Sequence, residues 1–350
     1  MTRDAGRWGL VALAVGGAVM LTVAVVWSRA SVEPSTTQPS VAGATSPAWS
    51  PDGKFLAYVQ EQPGGDEAKL MMMRVGGEPR AVRLGRLDED GEDGAPYAAS
   101  GRPTWHPDGV LVFQASVDGA PTRLHYLQAR QNWAASLLDP DEVPGSLSDV
   151  AFDARGMVMA FVSDASGAGD IRVRDTGTGK VLTVLSTAAK ESGVSLSTDG
   201  RRVVFEREGD VWTVDRAGRE AVVVAAGRAH RERPVFAGDA VVYFATEDGE
   251  TRLVAHRGGE EVLLARHVRL PEAGKPAVSP DGRWVAFAST TPELSGQVLL
   301  AEIAGPEQRR VAVAESEVAD LAFAPDGRRL AYTARASSAS WRSLHVVQIP

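Results

Sequence analysis

The chain has 350 residues, a formal net charge of −8 and no cysteine. The acidic balance excludes a nucleic-acid surface, which needs a clustered basic face. The missing cysteines exclude disulfides, thiolate zinc sites and cysteine nucleophiles, and leave the redox compartment open.

In chain order, residues 8–27 read WGLVALAVGGAVMLTVAVVW, twenty residues without a charge. A helix of that length rises about 30 Å, the thickness of a bilayer's hydrocarbon core. Tryptophan at each end suits the aromatic belts, and Arg3 and Arg7 outnumber the single nearby Arg29, which favours an amino terminus inside. These features divide the chain into a short cytoplasmic segment (1–7), a transmembrane signal-anchor helix (8–28), a tether (29–46) and an extracytoplasmic domain (47–350). The expectation is a single-pass protein of the inner (cytoplasmic) membrane, with its bulk in the periplasm or extracytoplasmic space. Ser28-Arg29-Ala30 also offers small residues where a signal peptidase reads, so secretion after cleavage is the alternative. Both readings export the domain.

The tether, SVEPSTTQPSVAGATS over 31–46, is rich in Ser, Thr and Pro, as an exposed linker is. Beyond it one pattern recurs. The copies are PAWSPDGKFLAYVQ from Pro47, PTWHPDGVLVFQAS from Pro103, DVAFDARGMVMAFVS from Asp149, VSLSTDGRRVVFER from Val194, RPVFAGDAVVYFAT from Arg233, PAVSPDGRWVAFAS from Pro276 and LAFAPDGRRLAYTA from Leu321. Each reads as a strand, a tight turn and a second strand. Proline pre-sets φ, aspartate bonds its own backbone, and glycine accepts the left-handed conformation that reverses the chain. The turn pairs are Asp52-Gly53, Asp108-Gly109, Asp199-Gly200, Asp281-Gly282 and Asp326-Gly327, with Gly156 and Gly238 in the two divergent copies.

Numbered from these glycines, successive copies lie 56, 47, 44, 38, 44 and 45 residues apart. A period in the forties with short alternating strands is that of propeller blades, and helical repeats would need apolar residues three or four apart. The fold expected is therefore an all-β propeller of about seven four-stranded blades, preceded by one transmembrane helix; the uneven spacing leaves room for six or eight.

In the first blade strands are expected at 47–50, 54–60, 69–75 and 80–84. The last repeat supplies strands at 318–324, 329–335 and 343–349 and then stops. Residues 39–45 are the spare segment that would supply its fourth strand and close the ring, because an open outer edge is an aggregation template. Aromatic residues at the end of the first strand (Trp49, Trp105, Phe152, Phe236, Phe323) and within the second (Tyr58, Phe113, Phe161, Phe205, Phe244, Phe287, Tyr332) are expected between neighbouring blades.

The string PxWSPDGxxxAF, followed by an apolar strand and a Gly-containing turn, resembles the WD40-like propeller repeat of the TolB family, periplasmic components of the Tol–Pal envelope system. It is also similar to the propellers that precede prolyl-oligopeptidase-type peptidases. The resemblance spans about 300 residues and implies the architecture and an exported setting. This chain departs from TolB in lacking the α/β domain before the propeller, and TolB-like propellers usually have six blades. Such repeats specify a fold and say little about function.

A peptidase needs a nucleophile elbow within an α/β domain. The nearest string, Gly193-Val194-Ser195-Leu196-Ser197, lies in the first strand of a repeat and lacks the second glycine. The six histidines, His106, His125, His230, His256, His267 and His345, are scattered over the repeats with no two at metal-ligand spacing. No catalytic residue, metal ligand or cofactor is therefore assigned, and the chain reads as no enzyme.

The most charged stretch, LDEDGEDG over 87–94, lies on the longest connection, from the first blade to the second. Its glycines are misplaced for an EF-hand. Asp88, Asp90, Glu92 and Asp93 are the expected contact residues. The function expected is a membrane-anchored scaffold binding an envelope protein or peptide across a propeller face. The alternative is an exported enzyme or small-ligand or metal receptor using the central channel. That alternative requires His, Asp, Glu and Arg converging on the axis, where a scaffold would place small and apolar groups. First strands such as PAWS, SLS and LAFA favour the scaffold, and Asp149, Arg233 and Asp320 at strand starts keep the question open.

Overall fold

The structure is a computed structural model that describes residues 27–28, 36–61, 67–85, 96–130, 133–219, 221–272, 274–294, 296–305, 307–313, 317–335 and 341–349. Among them the strands form seven sheets, one per repeat, arranged as a seven-bladed propeller. Blade 1 is built from Ala44–Trp49, Phe55–Gln60, Lys69–Arg74 and Pro79–Ala81, from the axis outward. Blades 2 to 6 begin at the axis with Ala98–Trp105, Leu147–Phe152, Glu191–Leu196, His230–Ala237 and Ala277–Val278. Third strands Asp210–Asp215 and Gln297–Glu302 fall where the alternation of the sequence places them.

Blade 7 closes the ring. It takes Val318–Phe323, Arg329–Ala334 and Ser343–Gln348 from the end of the chain, and its outermost strand is Thr36–Ala42 from the beginning. That strand runs antiparallel to Ser343–Gln348, with Thr36 opposite Val346 and Ala42 opposite Ser343. It overlaps the 39–45 window, whose last two residues instead open the innermost strand of blade 1. Further along, Arg83–Leu84 leaves the first repeat to pair parallel with Trp133–Ser136 on the rim of blade 2.

The expected membrane helix lies outside the described residues except for Trp27–Ser28, a two-residue strand parallel to Gln308–Arg309 of blade 6. Among the described residues no helix is long and apolar enough to cross a membrane.

The second strands show why a repeat with both faces apolar makes a ring. In Phe55–Gln60, Leu56 and Tyr58 point toward blade 7 and pack with Ala322, Ala331 and Leu344. Ala57 and Val59 point the other way and pack with Leu111, Phe113 and Ala115 of blade 2. Side chains alternate across a strand, so one apolar run feeds two interfaces. Tyr58, Phe113, Phe161, Phe205, Tyr243 and Tyr332 are fully buried there. Full burial of such a side chain is worth about 1.5–3 kcal/mol. The first-strand tryptophans bridge blades by hydrogen bonds: Trp49 Nε1 donates to Ala322 O at 3.0 Å and Trp105 Nε1 to Ala48 O at 3.2 Å.

The Asp-Gly turns repeat one geometry. In blade 1, Gly53 N donates to Ser50 O at 2.9 Å with Gly53 at φ 66°, and Asp52 Oδ1 accepts from Ser50 Oγ at 2.6 Å and Lys54 N at 3.1 Å. Ser197-Asp199 and Ser279-Asp281 do the same. Where His106 replaces the serine, its Nδ1 takes the Asp108 N–H at 3.1 Å and its Nε2 lies 2.8 Å from Gly156 O of the next blade.

Candidate functional site

The innermost strands begin earlier than the sequence motif, and the difference creates the site. Pairing with the second strand slips between Thr45 and Ala48, Ser100 and Thr104, Ser148 and Ala151, Ser192 and Ser195, Glu232 and Val235, and Ala319 and Leu321. Each slip is a bulge with a residue in the left-handed region: Ser46 at φ 54°, Gly101 at 64°, Asp149 at 54°, Gly193 at 66°, Arg233 at 55° and Asp320 at 20°. Four of the six just named are not glycine, and each such residue costs roughly 1–3 kcal/mol of backbone strain. The bulge turns the residue just before the motif toward the axis. In the six bulged blades that residue is Ser46, Arg102, Asp149, Gly193, Arg233 and Asp320; in blade 6, whose innermost strand pairs without a slip, the residue at the same position is Lys275.

Most of these polar side chains stitch one blade to another. Asp149 Oδ2 accepts the Gly193 N–H at 2.8 Å, from blade 3 to blade 4. Arg233 Nη1 donates to Pro271 O at 2.6 Å and Gly274 O at 3.1 Å, on the approach to blade 6, and its Nε pairs with Glu232 at 3.0 Å. Asp320 accepts Ser46 N at 3.3 Å and Glu272 N at 3.0 Å, joining blade 7 to blade 1. Lys275 reaches from blade 6 to donate to Val194 O of blade 4. Two side chains are exceptions: Ser46 Oγ is buried without a hydrogen-bond partner, and the Arg102 guanidinium makes no hydrogen bond among the described residues, although Asp320 attracts it electrostatically.

Around these groups lies a cavity of about 750 Å³. Its polar wall carries Arg102, Arg233 and Lys275 against Asp149, Glu206 and Glu232. The volume falls within the range typical of small-ligand sites, roughly 300–1,000 Å³. Three residues farther along the strands, roughly 10 Å at the usual rise, Trp49, Trp105, Phe236 and Phe323 line the other part.

Burial strains the charges here. It pushes the Lys275 ammonium down to about 8, with Arg102 adding to the effect and Asp149 opposing it. Burial also lowers Arg102, against the pull of Asp320. Glu206 is raised, first by burial and then by Glu232 and Asp149, while His230 and Ser192 act the other way. Ser192 Oγ donates to Glu206 Oε2 at 3.3 Å and His230 Nε2 lies 3.8 Å from Oε1. Ser195, the serine of the Gly-x-Ser string, accepts the Phe236 N–H at 3.4 Å.

The expected site residues fare differently. Asp88, Asp90, Glu92 and Asp93 lie outside the described residues. The channel centre expected to be small and apolar is charged, because the side chains that reach it precede the apolar motif. Asp149 and Arg233 are drawn into the wall, while Asp320, only 2% exposed, is closed behind it. Arg102, Glu206, Glu232 and Lys275 were missed. A usable signal was present: in the column one residue before the motif, no repeat carries an apolar side chain.

No family model matches the chain, and no curated protein does. Solved structures do match. An oligogalacturonate lyase in complex with manganese is 13% identical with a TM-score of 0.64, over 91% of this chain and 96% of that one. A TolB from Agrobacterium tumefaciens, described as putative, is 15% identical with a TM-score of 0.51, over 88% and 90%. A prolyl endopeptidase is 13% identical with a TM-score of 0.59, over 89% of this chain and 50% of that one. At these identities the likeness is one of fold, and the fold is the TolB-like propeller. The expectation that the chain is no enzyme is thereby corrected, since the same propeller architecture occurs in a lyase and in prolyl endopeptidases. The manganese of the lyase finds no counterpart here: among the described residues His, Asp and Glu nowhere gather in threes as ligands.

Proposed function

We propose that this chain is an exported, membrane-anchored propeller that takes part of a ligand into its axial channel, the ligand being a segment of another envelope protein. Export and anchoring rest on the uncharged run at 8–27. The observation that carries binding is the ring at the channel centre, where five of the seven blades place a charged group and the Arg102 guanidinium makes no hydrogen bond among the described residues. A buried guanidinium without a hydrogen bond in a cavity of this size, attracted only by Asp320 from behind the wall, costs stability and is consistent with a place for an anionic or polar ligand.

The test is a photo-crosslinking amino acid at Thr104 in the full-length protein in its own membranes, beside the same probe at Leu182 on the rim of blade 3. A distinct crosslinked envelope protein from the channel position and not from the rim supports the reading. Equal products from both positions, or none from Thr104, overturn it. An alkaline phosphatase fused to the carboxyl end tests export separately: it is active only if the propeller leaves the cytoplasm.

One observation favours an enzymatic use of the same channel. An amine held near pH 8 beside a guanidinium is equipped to remove a proton next to a carboxylate that the guanidinium neutralises. On that reading Lys275→Arg abolishes turnover of a carboxylated substrate while leaving it bound.

A further inference from the structure

We propose that the group this channel binds is a single carboxylate, held between the Arg102 guanidinium and the Lys275 ammonium. The inference rests on the channel being the binding site and adds the chemistry of its ligand.

Three features of the ring lead to it. Asp149, Arg233 and Asp320 each spend their hydrogen-bonding capacity on a neighbouring blade. Arg102 spends none among the described residues, and it lines the cavity. Lys275 donates to Val194 O, is attracted by Asp149 and lies within electrostatic reach of Arg102, which repels it. Asp149 attracts Lys275 and Asp320 attracts Arg102, but the Arg102 guanidinium is left without a hydrogen bond among the described residues beside a second cation on the same cavity wall, which is what an anion site looks like before its ligand arrives.

The surroundings choose the anion. A planar guanidinium fork matches a carboxylate bidentately, and an ammonium adds a point charge. Asp149, Glu206 and Glu232 share the wall and Asp320 stands behind it. A phosphate chain or other polyanion would meet these carboxylates as it entered, whereas one carboxylate adds a single negative charge opposite the two cations that line the gap. The ligand is therefore a monocarboxylate: an Asp or Glu side chain of an inserted segment, or a small organic acid.

Binding is coupled to a proton. Lys275 faces Arg102, Asp149 and the Val194 carbonyl, with Glu206, Glu232, Arg233 and Asp320 in the surrounding wall. A carboxylate beside it favours the ammonium form, so occupation raises its titration midpoint, and a higher pH weakens binding in equal measure.

The experiment follows the lysine side-chain carbons of full-length, isotope-labelled protein by NMR across pH 6–11, with Lys275 assigned from a Lys275→Arg sample. The probes are acetate against acetamide, and acetyl-Gly-Gly-Glu-Gly-Gly-amide against its Gln counterpart. The expected result is a Lys275 midpoint that rises by at least one pH unit with the acids and stays in place with the amides. Arg102→Gln raises the midpoint of the free protein, by removing the repulsion, and weakens the response to acids at least tenfold; Arg102→Lys retains part of it. A response to the Glu peptide where acetate gives none identifies an inserted segment, and an equal response identifies a small acid. If amides act as well as acids, the channel binds but the carboxylate inference falls. If nothing moves Lys275 or its channel neighbours, the binding reading falls with it.

Discussion

Replacing Lys275 by methionine makes the buried charge measurable as stability. In the folded chain the ammonium is pushed down to about 8 from an ordinary 10.5. Between those values the unfolded chain holds a proton that the folded chain has lost, so stability rises with pH across that window. It is fully gained above 10.5 and lost as pH falls toward 8. A difference of about 2.5 pH units corresponds to about 3 kcal/mol. Methionine carries no charge and fills nearly the same length, but it leaves Val194 O without its donor, at roughly 1–2 kcal/mol. The variant is thus expected to be more stable than the parent by about 1–2 kcal/mol at pH 7 and less stable by a similar amount at pH 10.5. Urea unfolding of both proteins at the two pH values reads this directly, and titrating groups that do not interact with Lys275 cancel in the difference. A difference that changes by less than about 0.5 kcal/mol between the two pH values would refute the claim that Lys275 is a strained cation. A substitution that stabilises the fold while emptying a site is the usual mark of function kept at a cost in stability.

Further outcomes are expected elsewhere. His125, packed against Phe113 beside Arg123, is held down to about 4, first by burial and then by Arg123. Its contribution is present above 6.5 and lost as pH falls through 4, so His125→Phe removes up to about 3 kcal/mol of acid-induced destabilisation in that window, read by urea midpoints at pH 7 and 4. Gly200→Ala combines a φ of +68° with a Cβ 3.0 Å from that of Asp153, and Gly109→Ala has φ +86° with nothing within 4 Å. The first should cost about 1–3 kcal/mol and the second about 1; equal thermal shifts would count against the contact. Deleting residues 1–42 uncovers the edge of Ser343–Gln348 and should increase self-association relative to the parent, read by light scattering. A monomer of unchanged melting temperature would show that the amino-terminal strand does not close the ring.

The architecture was legible because its signal is repeated and local. Asp-Gly after proline or serine marks a turn wherever it stands, and two-residue alternation with both faces apolar describes a strand sandwiched between blades. The missing fourth strand of blade 7 could be inferred from counting alone. The site was illegible for a related reason. Reading each repeat from its first apolar residue discards the residue before it, and the bulge that aims that residue at the axis is a property of strand pairing. Arg102 and Lys275 also sit before prolines, where they read as ordinary solvated residues at a loop's end. Glu206 and Glu232 reach the channel through different strands of different blades, so no sequence spacing relates them. Residues 87–94 attracted attention because charge density is easy to see; the channel charges occur once per forty-odd residues and look like background.

The ring also separates what holds the propeller together from what it binds. Asp149→Ala removes the acceptor of the Gly193 N–H across a blade boundary, and a buried donor left without a partner costs about 1–3 kcal/mol. Asp320→Ala strands two such donors, Ser46 N where the ends of the ring meet and Glu272 N on the approach to blade 6. Arg102→Gln breaks no hydrogen bond among the described residues, relieves the repulsion with Lys275 and gives up the attraction of Asp320, so its unfolding midpoint should stay close to that of the parent. Loss of channel binding in Arg102→Gln, with stability retained, would therefore be a specific result, whereas the same loss in Asp149→Ala would be explained by a loosened ring. Seven blades of one design impose equal geometry at the axis, and the identity of one residue per blade is the freedom left. Arg102 is the member of that set whose chemistry the fold itself does not consume.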